Sequence, residues 1–405
     1  MSGDRCEYSG QGGKGECETG GGDVNEVREE TGRLDTKDES LFVILKQYGV
    51  SAETLSSLAR DRDSFGLAWT LLWLHSRHKA RGKVPIDPPR AIDLSGTFGL
   101  SPEKIFFFLE CLPDSVEEVT LDSVGVQGRG LPVFIRFLER EGGKQSQRVR
   151  RFIFAEHSIG PEEAPSVFPL LLPSLESLCL KGNPLGTVGF RALAEAIREG
   201  KTDSLRHLDL ESCGLDKEGL QTVCEAFKER EGGWKVETLN VSGNRLNEAD
   251  MMVTLCSVLF VALLPCLRVL LLRVCGLRDS PYIEELAGVL KKGNLLNLET
   301  LDVQGNSVGL VPLNQALRVS AVPHLKNLSV TIKSRLGGPY CVSVFLQALG
   351  DEKCPPVENV QLEANHLSER QMRALWDGRF ACIRTVVLDF SSSGMSKFLK
   401  GLLGS

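Results

Sequence analysis

From Leu175 to Val308 the apolar positions fall in one fixed spacing, at places one, four, six and eleven of an eleven-residue core. The first copy reads Leu175-Glu-Ser-Leu178-Cys-Leu180-Lys-Gly-Asn183-Pro-Leu185. The pattern returns at Leu205 to Leu215, Val236 to Leu246, Leu267 to Leu277 and Leu298 to Val308. Looser copies start at Pro89, Val116, Val149, Leu325, Val357 and Ile383, giving eleven starts spaced 26 to 33 residues apart. The apolar-polar-apolar step at places four to six has the period of a strand. Behind each core the period changes. Gly189, Leu193 and Ile197 follow Leu185 at steps of four, and Gly219, Val223 and Phe227 follow Leu215, which predicts a helix with one buried face. A short strand and a helix, repeated, make a chain of units that bury their apolar faces only against one another.

The core matches L-x-x-L-x-L-x-x-N/C-x-L, and with its strand-helix period near 30 it resembles the ribonuclease-inhibitor class of leucine-rich repeat, in outline over residues 89 to 390. The resemblance implies an α/β solenoid, a curved horseshoe with a concave parallel β-sheet and convex helices, of about eleven repeats. Its ninth place alternates Asn183, Cys213, Asn244, Cys275, Asn306, similar to the alternation of repeat types in that class. An Asn amide or a Cys thiol there can bond backbone groups that the turn out of the strand leaves unpaired. Thr97, Val124, His157 and Lys333 depart from the pattern, and a lysine cannot accept in such a ladder.

Three segments follow from composition. Residues 1–40 hold nine glycines, eleven acids and five bases with few apolar side chains, which predicts a disordered acidic tail. Residues 41–88 carry apolar residues at helical spacing and end in a linker at Pro88 and Pro89, as a helical cap for the first repeat would. Residues 89–405 form the repeat domain, with Met395 to Leu403 as a short closing cap. The formal charge of −6 belongs entirely to the tail, because 42 residues of each sign remain beyond it.

Several motifs lose to their surroundings. Gly10 to Gly15 matches G-x-G-x-x-G, yet no strand precedes it and no helix follows it in the pattern. The uncharged run Met251 to Leu267 is short for a membrane span and falls in repeat register, so it reads as repeat core. The basic clusters at His75 to Lys83 and Arg148 to Arg151 read as a helix end and as solvated charge. His207 beside Asp209 lacks a nucleophile, so no catalytic constellation, metal site or cofactor is expected. Twelve cysteines without C-x-x-C pairs and an N-terminus without an apolar leader predict reduced thiols and a cytosolic or nuclear protein, and the net charge of −6 argues against a nucleic-acid or membrane partner.

Function is therefore expected on a surface. Strand side chains alternate faces, so residues between the leucines line the inner wall. There the sequence places Asp93, Glu118, Asp122, Asp209, Glu211, Asp302, Glu363 and Asp389 against Arg151, Lys181 and Arg273, a mainly acidic wall suited to a basic protein partner. The fourth strong repeat presents Val269, Leu271, Arg273 and Val274 where its neighbours are polar, and an apolar spot rimmed by charge has the character of an interface centre. The candidate site is Leu271 and Arg273, with Lys181, Asp209, Glu211 and Asp302 around them, in a non-catalytic interaction scaffold. Similar repeats also build the Ran GTPase-activating protein and the target-recognition part of receptors and ubiquitin ligases, which implies two alternative roles. The oligomeric state is left open.

Overall fold

A computed structural model describes residues between 90 and 388, nearly continuously from 149 to 332 and in shorter stretches outside that range. The tail, the helical cap, the closing cap, the Gly10 to Gly15 motif, the His75 to Lys83 cluster and Lys333 lie outside the described residues. Eleven strands stand in one parallel sheet, in chain order. They are β1 (Ala91–Asp93), β2 (Glu118–Thr120), β3 (Arg151–Ile153), β4 (Ser177–Cys179), β5 (His207–Asp209), β6 (Thr238–Asn240), β7 (Val269–Leu271), β8 (Thr300–Val303), β9 (Asn327–Ile332), β10 (Asn359–Ala364) and β11 (Ile383–Leu388). Helices fill the connections: α1 (Gly130–Arg140), α2 (Ala164–Leu171), α3 (Gly186–Arg198), α4 (Lys217–Glu229), α5 (Met251–Phe260), α6 (Tyr282–Lys292) and α7 (Leu310–Arg318).

The repeat alignment becomes the register. Leu178, Leu208, Leu239, Leu270, Leu301 and Leu328 stand side by side across six strands, all buried. They join Leu193, Ile197, Val223, Phe227, Leu286 and Leu290 of the helices in one continuous core. Neighbouring strands are about 4.8 Å apart and packed helices about 8 to 10 Å, so the helical layer takes the longer arc and the sheet the inner one. One copy departs from the alignment. Ile383, expected at the first place of its repeat, stands opposite Val360, the fourth place of its neighbour, and the ladder then skips Arg384 to pair Gln361 with Thr385. The bulge slides the last strand past the register that its leucine-like pattern predicts.

The helices stack closely because their contact positions are small. A β-carbon on Gly219 would meet Phe190 of the preceding helix at 2.9 Å, and one on Gly189 would stand 3.5 Å from the Ala164 β-carbon of α2. Asp216 caps α4, accepting from the Gly219 amide at 2.7 Å while Thr187 of the preceding repeat donates to its other oxygen at 2.6 Å. Met251 to Leu267 divides as its register predicts. Met251, Met252, Leu255, Cys256, Val258 and Leu259 of α5 and then Leu264 and Leu267 are buried between the layers. Among the described residues no helix is long and apolar enough to cross a membrane.

The alternation at the ninth place is a hydrogen-bond ladder. Asn183, Asn244 and Asn306 each donate to the carbonyl that ends the preceding strand segment (Phe154, Leu210 and Leu272) and to one in their own repeat (Leu180, Val241 and Val303). Their Oδ1 atoms accept the amides of Ile159, Leu215, and Cys275 with Leu277. In the repeats between, the Cys213 thiol donates to Leu180 O at 2.9 Å and that of Cys275 to Val241 O at 3.5 Å. Burial pushes the Cys275 thiol up to about 12 and Cys213 higher still, so both remain protonated donors.

Two further positions share this two-repeat period. At the second place charge alternates through all eleven copies: Arg90, Glu117, Arg150, Glu176, Arg206, Glu237, Arg268, Glu299, Lys326, Glu358 and Arg384. Ion pairs join neighbours, at 2.7 Å for Arg150 with Glu176 and 2.6 Å for Arg268 with Glu299. At the eighth place the backbone is left-handed in every described copy from Glu156 to Gly305, because its amide must turn back to the next repeat's carbonyl, as Gly182 does to Glu211 and Val274 to Gln304. The Asn repeats place Gly182, Gly243 and Gly305 there; the Cys repeats place Ser212 and Val274.

Candidate partner-binding surface

On the sheet face away from the helices, places three, five and seven of each repeat form three rows. The middle row is the floor: Cys179, Asp209, Asn240, Leu271, Asp302 and Ser329, in register across β4 to β9. Asp209, Asn240 and Asp302 share one local job. Each accepts, through Oδ1, the amide two residues on, at Glu211, Ser242 and Gln304, over 2.8 to 3.0 Å. This turn bond ends the strand and begins the left-handed step, so short side chains with an oxygen recur here for backbone reasons as well as for any partner.

The six candidate residues come together on this face, with their charges largely matched inside the molecule. Lys181 pairs with Glu211 at 3.0 Å, and that hydrogen bond raises the lysine's pKa. Arg273 reaches Asp302 at 3.7 Å, and Asp302 is more enclosed than its strand position suggests, at 8% exposure. Arg151 of the same wall meets Glu118 at 3.4 Å. Asp209 is met by neutral donors alone, the Glu211 amide and Asn240 Nδ2 at 3.0 Å, and burial pushes its carboxyl up from the ordinary aspartate value. Among the described acids of this wall, Glu118, Glu211 and Asp302 thus face basic side chains, and Asp209 is hydrogen-bonded by neutral groups.

Leu271 lies half-buried on the floor between Asn240 and Asp302, with Val269 beside it in the row of Thr238 and Thr300. Val274 at the rim is 63% exposed, the most exposed of the large apolar side chains among the described residues. Further along, the face is lined by neutral hydrogen-bonding groups. Asn327 donates to Thr300 at 3.0 Å and Asn359 to Asn327 at 2.8 Å. His207 engages Thr238 at 3.0 Å, which gives it a polar neighbour of its own. Among the described residues no group of three His, Cys, Asp or Glu stands ready for a metal.

The Leucine Rich repeat family model matches residues 204–224, which span β5 and the first half of α4. The chain carries leucine-rich repeats. Leucine-rich-repeat proteins generally act as protein-interaction scaffolds. A curated relative, the Tonsoku-like protein of Mus musculus, is 26% identical over 227 residues, a stretch covering 54% of this chain and 16% of that protein. The chain thus matches about a sixth of that relative's length. Among solved structures, the leucine-rich repeat-containing protein LegL7 from Legionella pneumophila is similar, with a TM-score of 0.44 and 18% identity, covering 77% of this chain and 97% of that one.

The charge column at place two and the Gly alternation at place eight escaped the pattern of leucines. Both were present in the aligned copies, as E-R-E-R-E at the second column and G-S-G-V-G at the eighth.

Proposed function

We propose that this chain is a non-catalytic interaction scaffold that binds a partner protein of basic character on its inner sheet face, centred on β7. One observation carries the reading: β7 presents Val269 and the half-buried Leu271 between strands that present Thr238, Asn240, Thr300 and Asp302, and Val274, 63% exposed, follows at the turn of the same repeat. Apolar centres ringed by polar groups lose water on docking and supply most of an interface's free energy. The ring is acidic on one side, where Asp209 is hydrogen-bonded by neutral groups and feels Lys181 only at longer range, and Glu211 and Asp302 add charge that their pairs only partly offset. Such a field favours lysine and arginine side chains on the incoming surface.

The buried, protonated thiols of Cys213 and Cys275 work as hydrogen-bond donors, in keeping with a cytosolic or nuclear home. Regulation of a small GTPase and target selection for a ligase draw on the resemblance alone, and no described residue favours either. The test is affinity purification of the full chain with quantitative mass spectrometry, alongside Leu271→Glu and Asp209→Lys variants whose folding is checked by circular dichroism. Loss of the same partner from both variants is expected. Undiminished recovery in both removes the sheet face as the site.

A further inference from the structure

The floor row orders its chemistry along the array. Asp209, Asn240, Leu271 and Asp302 sit on four consecutive strands in strict register. Asn240 is spoken for, donating to both Asp209 and Glu211. Asp302 is covered by Arg273. That leaves an anionic seat at Asp209 and an apolar seat at Leu271, two strands apart. Two inter-strand steps make about 10 Å, and three residues of extended chain also span about 10 Å.

A second observation marks the same repeat. Val274 holds φ of 53°, a left-handed backbone that β-branched residues adopt only under strain. The equivalent place holds Gly182, Gly243 or Gly305, or the polar Glu156 and Ser212, so Val274 is the one apolar side chain there among the described copies from Glu156 to Gly305. With 63% of its surface exposed, Val274 gains little burial to offset that strain. An exposed apolar side chain kept at a left-handed place is better suited to an incoming partner than to its own fold.

We infer that the row receives an extended segment of a partner chain laid across the strands, with a lysine or arginine on Asp209 and, three residues away, an apolar side chain against Leu271, on the repeat whose turn carries Val274. This rests on the inner face being the docking surface, and names the chemistry that the face selects. The segment runs along the floor because its two anchors lie along the floor. The neutral row of Thr238 and Thr300 beside it offers hydroxyls to the segment's backbone.

The test uses a random dodecamer peptide library displayed on phage and the full-length chain as bait, with Leu271→Glu as a counter-bait. Peptides lost on the counter-bait are sequenced, synthesised and titrated against the wild type, Asp209→Asn and Val274→Gly. The expected result is enrichment of Lys or Arg three residues from Leu, Ile, Met or Val. Binding should weaken about tenfold with Asp209→Asn, the size of one charge-assisted contact. Val274→Gly should weaken the same peptides while raising the melting temperature, a pairing that a purely structural valine would not give. Enriched peptides that need Leu271 but lack this spacing overturn the inference and leave the docking surface standing. Peptides indifferent to Leu271→Glu overturn both, and so does unchanged affinity in Asp209→Asn and Val274→Gly together.

Discussion

A β-carbon placed on Gly305 would lie 2.6 Å from Cγ2 of Val274, the residue one repeat before it. The same geometry recurs two repeats earlier, where a β-carbon on Gly243 would strike the Ser212 hydroxyl. Side chains at the left-handed place are thus tolerated only when the next repeat has none, and the array alternates them. Gly305→Ala should cost roughly 2 to 4 kcal/mol, from left-handed strain plus overlap. In a Val274→Gly background the overlap vanishes, and the cost should fall to about 1 to 2 kcal/mol. Urea unfolding of the two single variants and the double variant checks this through the coupling energy.

The Asn and Cys rungs of the ladder are unequal. Asn244 makes bonds to Leu210 O, Val241 O and the Leu215 amide, whereas Cys213 serves carbonyls alone. Asn244→Ala strands several buried backbone groups and should cost about 3 to 5 kcal/mol; Cys213→Ala should cost roughly 1 to 2. Equal losses in chemical denaturation would contradict the ladder.

Burial holds the folded-state pKa of Asp209 above its unfolded value, against the lowering pull of the Glu211 amide, Asn240 and Lys181. The folded chain binds that proton more tightly, so this group's contribution is fully present below its unfolded pKa and is lost as pH rises through the folded one. Asp209→Asn keeps an oxygen for the Glu211 amide, as Asn240 does for Ser242 in the next repeat. The variant should be more stable than the wild type at pH 7, and the gap should close below about pH 3.5, where an ordinary aspartate is protonated. A denaturant midpoint measured across pH reads the difference directly.

Arg206 stands between Glu176 and Glu237 in the alternating column, with Glu237 4.0 Å away. Arg206→Glu lines up three carboxylates. Because both side chains remain partly open to solvent, the cost should be about 1 kcal/mol at low salt and should shrink as salt is added. A cost unchanged by salt would place the arginine's value in its bonds to Asp203 O and Leu205 O instead.

The fold was largely legible because leucine spacing and helix period are local: Leu178, Leu208, Leu239, Leu270 and Leu301 predicted the central register residue by residue. The last strand was not, since a bulge at Arg384 leaves no mark in an apolar pattern. On the inner face, strand alternation located all six candidate residues, with Leu271 and Val274 standing out as apolar. Alternation is blind to pairing across strands. It could not show that Lys181 and Arg273 are engaged with Glu211 and Asp302, or that Asp209 is anchored to its own turn. Those contacts depend on which repeats become neighbours and on how far each side chain reaches.

Hydrogen–deuterium exchange of the full chain, alone and saturated with its purified partner, tests the inner-face scaffold most directly. Residues 207–211, 238–242, 269–273 and 300–304 should gain the most protection, strongest around Leu271. Protection confined to 186–198, 217–229 and 282–292, the helical layer, would contradict it.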